Sequence, residues 1–147
     1  MLSRQTAAAR ASDLGKTRLM TFIATMASLT VSGSLLAGGA APLRVAVTAP
    51  GHTPKVSTHW NYTVRVTRGG KPVAGRISEQ IVDPIGGKHP VEFGTSTKPI
   101  TNWPFKGVFR DFIVWPASSR GVPLKFRVIV VVGKIRRVVD YAVTPRA

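Results

Sequence analysis

The chain has 147 residues, with 21 Lys and Arg against 6 Asp and Glu for a formal charge of +15, and no cysteine. The missing cysteine excludes a disulfide scaffold, a thiolate zinc site, an iron–sulfur cluster and a thiol nucleophile. A hydrophobic content of 44% excludes a disordered polycation, and the length allows one domain, alone or with a tail.

Residues 1–40 differ in composition from everything after them. Arg4, Arg10, Lys16 and Arg18 stand against one acid, Asp13, and no charge follows from Leu19 to Leu43. The apolar stretch, diluted by Thr and Ser, runs into Ala37-Gly-Gly-Ala-Ala-Pro42. Basic, then apolar, then small is the order of a secretory signal peptide, with Ala40 as the residue before the cut. No polar face repeats through Leu19–Leu36, which argues against the amphipathic helix of a soluble protein. An apolar helix of this length also suits an uncleaved anchor. Two outcomes therefore stand: residues 1–40 are removed, or they are kept as a hydrophobic helix ahead of a domain over 41–147. Both direct the domain to the outside of the cell or the envelope, with membrane contact only through the N-terminal segment.

Beyond residue 40 the hydrophobic period is two, the period of strands. Leu43, Val45 and Val47 alternate with Arg44, Ala46 and Thr48. Trp60, Tyr62, Val64 and Val66 alternate with Asn61, Thr63, Arg65 and Thr67, the clearest half-buried strand in the chain. A Gly69-Gly70 turn leads to a strand over Gly75–Val82, then a short one near Val91–Phe93 and another over Val108–Val114. The stretch between Phe93 and Val108 is read as a loop, and Pro116 ends the strand before it. Leu124–Val132 and Ile135–Val143 close the chain. Seven short strands with Gly and Pro between them predict an all-β sandwich.

The last hairpin can be set in register. Gly133-Lys134 suits a two-residue type II′ turn. That turn pairs Val132 with Ile135, Val130 with Arg137, Val128 with Val139, Phe126 with Tyr141 and Leu124 with Val143. This face is assigned to the core, with Arg137 near the rim. The opposite face pairs Arg127 with Asp140, opposite charges worth about 0.2–1 kcal/mol across a ladder. A one-residue slip would bury that charge. The same outer face carries Ile129 opposite Val138, with Val131 beside them. A small apolar strip rimmed by Lys125, Arg127 and Arg136 is either the ordinary exposed surface of a central hairpin or a partner surface.

Tyr62-Thr-Val-Arg-Val-Thr67, Gly70-Lys-Pro-Val-Ala-Gly75 and the closing Asp140-Tyr-Ala-Val-Thr-Pro145 resemble bacterial immunoglobulin-like domains. Trp115-Pro-Ala-Ser-Ser-Arg-Gly121 running into the Leu124 strand is similar to single-domain exported members of that group. The resemblance covers residues 43–145. It implies a seven-stranded immunoglobulin-like sandwich and no catalytic residues. The cysteine pair of antibody-type domains is missing, so apolar packing must hold the sheets together.

Little in the chain suggests chemistry. No G-x-S-x-G elbow is present, and His52, His59 and His89 have no metal-ligand spacing. Asp83, His89 and Glu92 flank one loop and are read as ordinary surface groups rather than ligands. Glu79 is in phase with Ile77 and Ile81 and therefore points inward, where it needs a partner such as Arg, a bulge or an edge position. Trp103 and Phe105, beside Lys106, either plug an open end of the sandwich or offer rings to a sugar. Together these readings predict a non-enzymatic module without cofactor or metal. Its candidate partner surface comprises Arg127, Ile129, Val131, Arg136, Val138, Trp103 and Phe105. Most of the net charge stays with residues 41–147, which suits a protein or an anionic envelope polymer as partner. Nucleic acid is disfavoured, because no recognition motif is present.

Overall fold

The alternating run around Trp60 forms the longest strand of the computed structural model, which describes residues 39–147. The leader expected over 1–40, with its helix, lies outside the described residues except for its last two positions. Among the described residues no helix is long and apolar enough to cross a membrane.

In chain order the strands are β1 (Leu43–Thr48), β2 (His59–Arg68), β3 (Lys71–Pro72), β4 (Ala74–Val82) and β5 (Lys88–Pro90). They continue with β6 (Trp103–Lys106), β7 (Val108–Val114), β8 (Leu124–Val132) and β9 (Ile135–Val143). The all-β expectation holds, but the seven expected strands become nine among the described residues. The two additions are the short β3 and β6. Trp103–Lys106 is a strand, not a loop: Trp103 and Phe105 are half-buried and alternate with exposed Pro104 and Lys106. Pro104 hides that alternation in the sequence, and it is tolerated because β6 has a partner on one side only, where its missing N–H leaves no gap.

The strand expected near Val91–Phe93 also shifts, to Lys88–Pro90. Along one edge of β4, β5 pairs with Gln80–Val82 and β6 with Ala74–Ile77. Between them the chain loops out and back. Val91 N donates to Glu79 O, and Glu79 N donates to Ile100 O. The edge of β4 is thus satisfied by three segments rather than one strand.

Two antiparallel sheets result. In the first, β2 pairs with β1 on one side and with β7 and the short β3 on the other. In the second, β4 carries β5 and β6 on one edge and β8 on the other, and β9 follows β8. The β8–β9 register matches the expected pairing at every position. Gly133 takes φ 58 and Lys134 stays at negative φ, as a type II′ turn requires.

The sheets bury one apolar core, consistent with a β-sandwich. Trp60, Tyr62, Val64 and Val66 of β2 face Ile77 of β4 and Phe126, Val128 and Val130 of β8. Trp60 meets Phe126 and Trp115 edge to face at 5.7 Å between ring centroids, and Tyr62 meets Phe126 at 4.7 Å. Rings of this size supply the apolar area that a disulfide would otherwise supplement.

Between β6 and β7 the chain leaves one sheet and joins the other within a single residue, Gly107. Its N–H donates to Val73 O and its carbonyl accepts from Val66 N, at φ 70. A Cβ at this position would stand 2.7 Å from Pro72 Cβ, so only glycine fits without movement.

Candidate functional site

Inward residues of β4, β8 and β9 are fixed by the core, so the intervening residues must form one continuous outer face. Register defines its rows. Ser78, Ile129 and Val138 lie side by side across β4, β8 and β9, as do Arg76, Val131 and Arg136. A third row holds Gln80, Arg127 and Asp140. Ile129 and Val131 are half-buried and Val138 is 42% exposed. The structure therefore brings five of the seven sequence-predicted residues together: Arg127, Ile129, Val131, Arg136 and Val138. It adds Arg76 and Ser78, which the sequence reading missed. Their signal was present, since the inward phase of Ile77, Glu79 and Ile81 turns Arg76, Ser78 and Gln80 outward.

Arg127 and Asp140 form the expected ion pair, with Nε and Nη2 each donating to one carboxylate oxygen at 2.7 Å. These hydrogen bonds hold the Asp140 carboxyl below its usual range. The other cations of this face are Arg136, Lys125 and Arg76, whose Nη1 donates to Asn102 O at 2.9 Å.

Trp103 and Phe105 lie elsewhere. They are packed against the core, where Trp103 meets Phe93 edge to face at 5.0 Å and Phe105 meets Phe109 at 6.5 Å. Lys98 Nζ stands 4.6 Å from the Trp103 ring centroid. Trp115, just beyond β7, is 2% exposed. Trp115 is thus buried in the core and Trp103 half-buried against it.

The loop acids do not converge. Asp83 pairs with His89 at 3.1 Å and also accepts hydrogen bonds from Ile85 N and Gly87 N. Those interactions, led by His89, lower its pKa. They close the turn between β4 and β5, and Glu92 instead bridges to Pro99. Among the described residues no three His, Asp or Glu side chains stand close enough to hold a metal.

No family model, curated protein or solved structure matches the chain.

The core holds one polar surprise. Glu79 points inward as its phase predicts and is only 1% exposed, yet no Arg meets it and β4 is not an edge strand. Its partner is Tyr62, whose hydroxyl donates to Oε2, while Oε1 has none. Burial pushes the Glu79 pKa up to about 8; the Tyr62 hydrogen bond opposes this, and the nearby charge of Asp111 adds to it. Asp111 is opposite Tyr62 in the β2–β7 register and accepts from Gly94 N at 3.1 Å. Two cavities of about 380 and 440 Å³ open along the edge between the sheets, near Ile81 and Ile113. Neither is lined by Glu79 or Tyr62.

Proposed function

We propose that the chain is an exported, non-enzymatic immunoglobulin-like module that binds a protein or anionic partner at the cell envelope. The immunoglobulin-like reading is supported by strand order: β1-β2-β7 against β4-β8-β9 corresponds to A-B-E against C-F-G of such sandwiches. Export is supported by the basic, apolar and small-residue sequence of segment 1–40.

The observation that carries the binding role is the row of Ile129 and Val138 beside Val131, framed by Arg76 and Arg136 on the outer face of the second sheet. A small apolar centre with cations at its rim suits a partner with an apolar knob and acidic surroundings.

The test is retention of the purified protein by envelope fractions across a range of ionic strength. Val138→Glu and Arg136→Glu, both at exposed positions, should each lower retention. Absence of retention at every ionic strength overturns the reading. The mass of the mature protein decides whether residues 1–40 are removed or kept as the anchor of an accessory subunit.

A further inference from the structure

The outer face of the first sheet has a different character. Its outward positions are Arg44, Ala46 and Thr48 on β1; His59, Asn61, Thr63, Arg65 and Thr67 on β2; and Val108, Arg110, Phe112 and Val114 on β7. No acid stands among them. Asp111, the acid carried by these strands, is turned inward opposite Tyr62.

Register aligns the three arginines. Arg44 is opposite Thr67, Arg65 lies two residues before Thr67 and opposite Val108, and Arg110 lies two residues beyond Val108 and opposite Thr63. Each step is a diagonal of the sheet, and diagonal neighbours stand about 7–8 Å apart. Both steps run in the same sense, so Arg44, Arg65 and Arg110 form one straight line across three strands. All three are exposed, and none is ion-paired among the described residues. Three like charges spaced about 7–8 Å apart on one face repel one another. An anionic chain laid along the line removes that repulsion.

We propose that this face binds a linear phosphate-bearing polymer along the Arg44–Arg65–Arg110 diagonal. The inference goes beyond the proposed function, since it names an anionic polymer and a second face, opposite to the apolar row. The arrangement in a line selects a chain over a single small anion. The two end arginines each have a threonine directly opposite, Arg44 with Thr67 and Arg110 with Thr63. A guanidinium fork plus a hydroxyl suits a chain phosphate, whose tetrahedral centre points its non-bridging oxygens in directions that the planar carboxylate does not offer. Arg65, between Ala46 and Val108, has room to reach the middle of the chain.

The experiment measures binding of the full chain to linear inorganic polyphosphate over a salt series. The variant Arg44→Gln/Arg65→Gln/Arg110→Gln is compared with the charge-matched Lys88→Gln/Arg120→Gln/Lys134→Gln, whose positions lie off β1, β2 and β7 and outside the apolar row with its arginines. All six residues are exposed, and circular dichroism checks that both variants keep the fold. The expected result is at least a tenfold loss of affinity for the first variant and less than a threefold loss for the second. The first variant should also flatten the salt dependence by about two in log–log slope, since each phosphate left without its arginine lowers the slope by about 0.7. Equal losses in the two variants overturn the proposal, because net charge alone then accounts for binding. Polyglutamate bound as tightly as polyphosphate also overturns it, as does tighter binding of single-stranded DNA of equal charge, which would make bases the recognised group. Retention by envelope fractions, read through Val138→Glu, tests the other face separately.

Discussion

Tyr62 of β2 donates its hydroxyl to the Glu79 carboxyl of β4, joining the two sheets by a hydrogen bond inside the core. A charged carboxylate at that depth would face a low dielectric with one oxygen unpartnered. The protonated acid is therefore the form that the folded chain prefers.

That preference makes stability depend on pH. Glu79 titrates at its ordinary 4.5 when unfolded and at about 8 when folded. Between those values the folded state holds a proton that the unfolded state has released. The contribution is fully present below pH 4.5 and is lost as pH rises through about 8. Unfolding in urea should show stability falling across this window by up to about 1.4 kcal/mol per pH unit. Glu79→Gln should flatten that slope.

Removing the phenol should leave the acid stranded. Tyr62→Phe takes away the partner of Oε2 and is expected to cost about 1–3 kcal/mol in equilibrium unfolding. The double variant Tyr62→Phe/Glu79→Met replaces both polar groups with apolar ones and should recover much of that loss. A double variant no more stable than Tyr62→Phe would count against the pairing as the cause.

Gly107→Ala tests the crossover between sheets. The substitution asks for a side chain at φ 70 and within 2.7 Å of Pro72 Cβ. A loss of about 1–3 kcal/mol is expected from strain alone. Gly133→Ala, also at positive φ but with open space around its Cβ, should cost less. Thermal unfolding of the two variants side by side separates crowding from backbone strain.

The Arg127–Asp140 pair should matter little. Both side chains are partly exposed, 24% and 33%, so a double-mutant cycle is expected to return at most about 1 kcal/mol. That coupling should shrink in high salt.

The sequence alone determined the strands with clear alternation and the β8–β9 register. Burial of one face forces period two, and the Gly133-Lys134 turn sets the pairing within a few residues. The same logic placed Glu79 inward and grouped Ile129, Val131 and Val138, because those residues sit on adjacent strands joined by a short turn. Tertiary structure decided what depends on partners distant in the chain. Glu79 meets Tyr62 through packing of two sheets, and the inward turn of Trp103 and Phe105 comes from pairing with β4. Arg44, Arg65 and Arg110 align only when β1, β2 and β7 are in register. Local alternation says which face a side chain takes, but only the assembled sheet says what stands beside it.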